Sequence, residues 1–178
     1  MTFVSRWPGC YPEILIEVQM EFVIKPVTPN EKEWVLEIAR TWGADFVVTR
    51  GRKVYPTEIE GFFAEDSNGR KVGLVTFEIV GDQCEVVTLD AFTRFSGIGS
   101  ILMEKVRKQA IAGGCKRLWL ITTNDNLDAI RFYQRRGFVI AAVHVNALEK
   151  SRQLKPSIPL IGQYGIPLRD EVEFEKLL

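Results

Sequence analysis

Hydrophobic and polar positions along this chain follow two periods. Residues 20–26 (Met-Glu-Phe-Val-Ile-Lys-Pro) read as a natural start and a first strand. Thr28-Pro29-Asn30-Glu31 is a capping box with proline at the first helical position. It opens a helix with Trp34, Val35, Ile38 and Trp42 on one core-facing side, ended by Gly43. Residues 47–55 hold two short β-prone runs around Arg50-Gly51-Arg52. A basic turn of this kind is usually solvated, and guidance of an acidic substrate is its functional alternative. Residues 61–65, 72–80 and 84–89 form a strand meander, split by hairpin-type turns at Ser67-Asn68-Gly69 and Gly81-Asp82.

Ile98, Ile101, Leu102, Val106 and Ala110 then recur at helical spacing to about Ala112, with Gly113-Gly114 as the stop. Residues 117–122 are a buried-type strand. Strand, helix, strand in that order makes the two strands parallel through a right-handed crossover. A helix over about 125–136, stopped by Gly137, a strand at 138–145 and a last strand at 170–177 complete the pattern. In the last strand Glu171, Glu173 and Glu175 alternate with apolar residues. Residues 155–169 carry Pro156, Pro159, Gly162, Gly165 and Pro167 and read as a long loop of the functional kind.

Composition narrows the classes. A chain of 178 residues, 46% hydrophobic and 26% charged, suits one globular domain with a real core. Lys plus Arg equals Asp plus Glu at 23 each, so no global field draws in nucleic acid or an anionic membrane. Cys10, Cys84 and Cys115 lack metal-ligand or redox spacing and read as reduced thiols in a cytoplasm. One histidine, His144, makes no metal site and reads as structural. No apolar run reaches transmembrane length. Residues 1–19 are broken by Arg6, Pro8, Pro12, Glu13 and Glu17, so they lack a signal peptide's apolar core. They read as an N-terminal extension of open role, either packed on the domain or preceding the start that the cell uses. Residues 20–178 form the single domain, expected as a monomer or homodimer.

The chemistry-bearing stretch is Arg94-Phe95-Ser96-Gly97-Ile98-Gly99-Ser100, between the apolar run 86–89 and a helix. Glycine lets the backbone approach a ligand closely, and the first helical N–H groups, unpartnered, sit at the positive end of the dipole. Strand, glycine turn and helix start make an anion site, most naturally for phosphate, although such a turn is often only a tight turn. A dinucleotide fingerprint would need glycine at Leu102, and the P-loop's Gly-Lys-Ser/Thr does not occur.

Arg-x-x-Gly-x-Gly after a strand resembles the acetyl-coenzyme A loop of the GNAT superfamily of N-acetyltransferases. A second block, Asn126-Leu127-Asp128-Ala129-Ile130-Arg131-Phe132-Tyr133-Gln134-Arg135-Arg136-Gly137-Phe138, is similar to the family's Asn-x-x-Ala-x-x-Phe-Tyr-x-x-x-Gly-Phe signature. The resemblance covers residues 22 to the C-terminus. It implies an α/β (α+β) fold: a mixed, mostly antiparallel sheet flanked by helices, with a parallel β-α-β core. It also implies acetyl-coenzyme A as cosubstrate, no metal, and an amine acceptor of unread identity. Residues 94–100 would bind the pyrophosphate. In the family the pantetheine arm pairs with a splayed strand, here 85–91, which assigns backbone groups of Leu89, Asp90 and Ala91. Two other readings stay open: a non-catalytic acyl-coenzyme A sensor, and a module holding some other nucleotide phosphate.

An alkyl amine with pKa near ~10.4 is less than about one part in a thousand free base at pH 7, so a carboxylate helps remove its proton. Glu85 is the first choice; strict alternation puts it on the face of Val87 and Leu89. Asp90 and Glu78 are rivals, and a solvated strand residue is the structural alternative. Asn126, Ala129 or Ile130, and Tyr133 share one helix stripe. In the family the tyrosine points at the thioester sulfur. A phenol near ~10 protonating a thiolate near ~8.5 is uphill by roughly 2 kcal/mol in water, which favours a strong hydrogen bond over simple transfer. Asn126 either contacts coenzyme A or caps its helix. Phe132 reads as core, with ligand contact possible beside that role.

Overall fold

β1 (Val23–Pro26) leads into the capping box, where Thr28 accepts the Asn30 N–H at 3.3 Å and Glu31 accepts the Thr28 N–H at 2.9 Å. A single 3-10 turn, Pro29–Glu31, runs into α1 (Lys32–Thr41). The structure, a computed structural model, describes residues 22–93 and 97–178. The expectations for residues 1–19, Cys10 among them, and for Arg94, Phe95 and Ser96 lie outside the described residues.

The expected hairpins form: β2 (Val47–Thr49) with β3 (Arg52–Val54), then β4 (Glu60–Glu65), β5 (Lys71–Val80) and β6 (Gln83–Ala91). α2 (Ile98–Ala112), β7 (Arg117–Thr123), α3 (Leu127–Gln134) and β8 (Val139–His144) follow. α4 (Ala147–Leu154) and β9 (Glu171–Leu177) end the chain. The pattern of apolar positions does not reveal α4, because its inward stripe is Leu148, Ser151 and then the buried Lys155.

Seven strands make one sheet in the order β1-β4-β5-β6-β7-β9-β8, with the β2–β3 hairpin apart. Its pairs are antiparallel except β6 with β7, which α2 connects. The parallel ladder is short: Gln83 to Val86 pair with Arg117 to Leu120, and beyond them the strands part. Among the described residues, one edge of β6 from Val87 to Ala91 therefore has no strand beside it.

β6 also carries a bulge. Thr76 pairs with Thr88 but Phe77 with Val86, which leaves Val87 as an extra residue. This corrects the expectation for Glu85. Glu85 pairs with Glu78 on one face, whereas Leu89 pairs with Val75 on the other, because one inserted residue reverses the alternation beyond it.

The main core lies between the sheet and α2 with α3. Ile98, Leu102, Val106 and Ala110 recur every fourth residue on α2 and are buried against Val75, Phe77, Val86, Leu118 and Phe174. Phe62 stacks on Phe77 at 5.5 Å between centroids. On the other face Trp34 of α1 meets Phe63 and Phe92 edge-on. Among the described residues, no helix is long and apolar enough to cross a membrane.

Candidate active site

Where β6 and β7 part, a cleft of about 740 Å³ opens under α2 and α3. Leu89 and Ala91 line it from β6, and Gly97, Ile98, Gly99 and Ser100 from the start of α2. Asn126, Phe132 and Tyr133 line it from α3 and its cap. The structure thus brings together nearly all the described residues that the two motifs assign to the donor. Gly97 caps α2 at φ +80, a left-handed conformation in which a Cβ is strained. Gly99 has another reason: a Cβ there would stand 3.3 Å from the Phe132 ring, so its absence lets α2 and α3 close on each other.

Asn126 caps α3, accepting the Ala129 N–H at 3.1 Å, and also lines the cleft. Phe132 is half-buried with its ring beneath the Arg136 guanidinium, 3.4 Å from the centroid. Arg136 donates to the Phe132 carbonyl at 2.9 Å and to the Ser100 hydroxyl from Nε at 3.1 Å, tying α3 to the α2 start. Burial, with Arg135 adding to it, lowers the Arg136 pKa. Arg131, Arg135 and Arg136 all line the cleft. Sequence reasoning gave these arginines no role; their signal was three arginines within six residues, Arg131 on α3 and Arg135 and Arg136 just past its end.

Tyr133 is buried, wedged against Phe132, Phe138 and Phe174 at 5.3, 5.8 and 5.8 Å between ring centroids. Burial first, and then the Asp90 charge, push its phenol well above the ordinary value, with Arg136 opposing. The group stays protonated at neutral pH. Asp90 pairs with Leu74 on the face away from the cleft. Burial lifts its carboxyl to about 6, and its Oδ2 is a buried atom with no hydrogen-bond partner. The donor-binding expectation for Asp90 concerned its backbone, and its side chain does not line the cleft.

Glu85 is not in the cleft. It lies on the opposite face, in a second cavity of about 280 Å³ lined also by Trp42, Val48, Val87, Ile121 and Glu171. It is not a solvated strand residue. Thr49 donates to its Oε1 at 2.7 Å, and the Arg52 guanidinium to its Oε2. Arg52 also meets Glu78 at 2.9 Å. Burial works against the Arg52 charge, but Glu85 and Glu78 outweigh it and hold its pKa above the ordinary value. The basic turn is therefore not simply solvated: it holds carboxylates from above. Burial raises the Glu171 pKa against the bonds it accepts from the Arg50 N–H and the Ser151 hydroxyl, both at 3.2 Å. Glu173 is opposite in sign: bonds from Arg117 and His144 overcome burial and lower it. His144 is structural here, its Nε2 lying 2.8 Å from Glu173.

The loop 155–169 touches both sites. Gln163 lines the cleft and donates its N–H to Asp125 at 2.7 Å, while Ile158, Pro159 and Leu168 line the second cavity.

The family model for GNAT acetyltransferases matches residues 32–138. YdhI of Bacillus subtilis (strain 168), an uncharacterized protein, is 41% identical over 140 residues, covering 79% of this chain and 88% of YdhI. An IAA acetyltransferase from Bacillus cereus ATCC 14579 has the same fold, with TM-score 0.67 at 18% identity over 89% of this chain and 100% of that one. A GNAT family acetyltransferase from Elizabethkingia anophelis with acetyl-CoA bound gives TM-score 0.62 at 19% identity over 88% and 98%. A family match over more than half the chain, with both of its motifs lining one cleft, makes this protein a member of the GNAT acetyltransferase family and an acyltransferase.

Proposed function

We propose that this chain moves the acetyl group of acetyl-coenzyme A directly to a primary amine, with both substrates bound at once. The observation that carries the reading is the gap between β6 and β7, which the cleft reaches from one face and the second cavity from the other. Donor and acceptor then approach the same thioester from opposite sides, and no acyl-enzyme is needed. The acetyl-CoA bound in the Elizabethkingia anophelis structure supports the donor. The free, buried Cys84 and Cys115 accord with a cytoplasmic location.

In this mechanism the coenzyme pyrophosphate lies at the start of α2, among Gly97 to Ser100 and near the α3 arginines. Residues 94–96 of the motif belong to the same site. The pantetheine amides pair with the free edge of β6 at Leu89, Asp90 and Ala91. An N–H of that edge stabilises the carbonyl oxygen as charge develops on it. The amine nitrogen attacks the thioester carbon, forming C–N as C–S breaks. Its proton leaves through Glu85 by way of water, since both Glu85 oxygens already hold partners. The departing thiolate meets the Tyr133 hydroxyl and takes its proton from solvent.

Thiol release from acetyl-coenzyme A with a panel of amines tests the reading. Coenzyme A binding without turnover would make the protein a sensor, and preference for nucleoside phosphates would make it a different phosphate module. Gly97→Val adds a branched side chain at a left-handed position against the phosphate, and weakens coenzyme A at least about tenfold in calorimetric titration. An unchanged affinity in the folded variant removes the pyrophosphate from this loop. Glu85→Gln lowers turnover about tenfold at pH 7 and recovers in part as pH rises, because more of the acceptor is then neutral. A pH–rate profile identical to the parent's moves the role to Asp90, Glu78 or bulk water.

A further inference from the structure

The second cavity has a chemistry the cleft lacks. Its walls are largely apolar side chains from separate parts of the chain, among them Trp42, Val48, Leu148 and Ile158, interspersed with hydroxyls such as those of Thr122, Thr123 and Ser157. Into this lining come two carboxylates, Glu85 at 3% exposure and Glu171 at 2%. They are not equivalent. Glu85 is neutralised by Arg52. Glu171 receives only neutral donors, the Arg50 N–H and the Ser151 hydroxyl. Among the described residues the cations of this face are committed elsewhere: Arg52 to Glu78 and Glu85, Arg117 to Glu173 and Glu175, the Arg50 side chain and His144 to Glu173, and Arg152 and Lys155 to backbone carbonyls. Neutral donors solvate a buried carboxylate without cancelling its charge.

The position of Glu171 matters as much as its charge. It pairs with Thr123, on the stretch of β7 that borders the gap. An amine held there is about one strand spacing, ~4.8 Å, from the opening. A ligand carboxylate has no such welcome, since Arg50, Arg52 and Arg117 already hold carboxylates and Arg152 donates to the backbone carbonyls of Ile158, Pro159 and Leu168. At about 280 Å³ the cavity is at the small end for ligand sites.

We propose that the second cavity is the acceptor site and takes a small amine with an apolar body and no carboxylate of its own, its ammonium received by Glu171. The assignment rests on the acetyl-transfer reading above. Glu171 positions and attracts the amine; the acetyl step itself is the one already written, with C–N formed and C–S broken, the ammonium losing two protons to water overall and the departing thiolate taking one back from solvent.

Phenethylamine and phenylalanine share an aromatic body and differ by a carboxylate, so they serve as probes. Calorimetry on the coenzyme A-loaded protein reads amine binding, and thiol release from acetyl-coenzyme A reads transfer. Phenethylamine is expected to bind and to show kcat/KM at least tenfold above phenylalanine. Glu171→Gln keeps volume and should weaken phenethylamine at least tenfold, mainly in KM, with coenzyme A affinity unchanged. Val48→Trp narrows the cavity from its half-buried wall and should weaken the amine likewise, which keeps the test valid should Glu171→Gln fail to fold. Preference for phenylalanine, no phenethylamine binding, or affinity untouched in a folded variant overturns the assignment. Transfer to other amines that neither variant affects leaves the acetyltransferase reading standing and removes this cavity from it. Glu171-dependent binding without thiol release supports the cavity as an amine site and overturns the transfer reading.

Discussion

Tyr133→Phe lowers turnover roughly 10- to 150-fold and leaves acetyl-coenzyme A affinity within a few-fold of the parent. The ring stays in its nest of Phe132, Phe138 and Phe174, so packing changes little. Only the hydroxyl is lost, and with it one hydrogen bond to a charged group in the transition state, about 1.5–3 kcal/mol. Because burial and the Asp90 charge hold the phenol protonated, the contribution expected under the proposed mechanism is donation to the thiolate rather than delivery of a proton. Turnover and donor affinity, measured on one folded preparation with amine saturating, separate the outcomes. Retained turnover with chemistry shown to be rate-limiting makes Tyr133 structural. Loss of both affinity and stability assigns the hydroxyl to the fold instead.

Phe174→Ala is expected to cost about 3–5 kcal/mol of stability, a large share of the roughly 5–15 kcal/mol typical of a domain. Phe174 is fully buried, at 0% exposure, on β9 between β7 and β8, where it pairs with Leu120 and Ile140. Truncation opens a hole beneath Tyr133 that a sheet bonded on both sides cannot readily collapse. Urea unfolding reads it as a lower midpoint at unchanged slope. An unchanged midpoint would mean that the core relaxes around the gap. The pair of variants is informative together: one removes a hydroxyl and spares the fold, the other removes the ring that supports it.

The fold was largely legible because its signals are local. The capping box at Thr28, the turns at Asn68-Gly69 and Gly81-Asp82, and the fourfold spacing from Ile98 to Ala110 each specify their element within a few residues. That the described residues of the two motifs line one cleft was legible for the same reason, since each motif is continuous. What escaped depends on partners distant in sequence. Nothing near Val87 marks it as a bulge; the mismatch is set by β5, and it moved Glu85 to the far face. Glu171 and Glu173 alternate like a solvated strand face, yet Arg50, Arg117, His144 and Ser151 bury them. α4 was hidden because its inward residues, Ser151 and Lys155, bond to Glu171 and to the Phe46 carbonyl instead of packing as apolar side chains.

The two cavities are assembled from the chain in different ways. Apart from Gln163, every residue lining the cleft lies between 89 and 136, in one uninterrupted run. The second cavity is stitched from the cap of α1, β2, β6, β7, α4, the 155–169 loop and β9, pieces that run from Trp42 to Glu171. Divergence can therefore work on the two independently. Exchanging the β2–β3 hairpin or the 155–169 loop between homologues redraws the walls of one cavity while the run that builds the other is inherited intact. With the second cavity as acceptor site, as proposed above, one donor-binding run could be recoupled to different acceptors by recombination at its periphery.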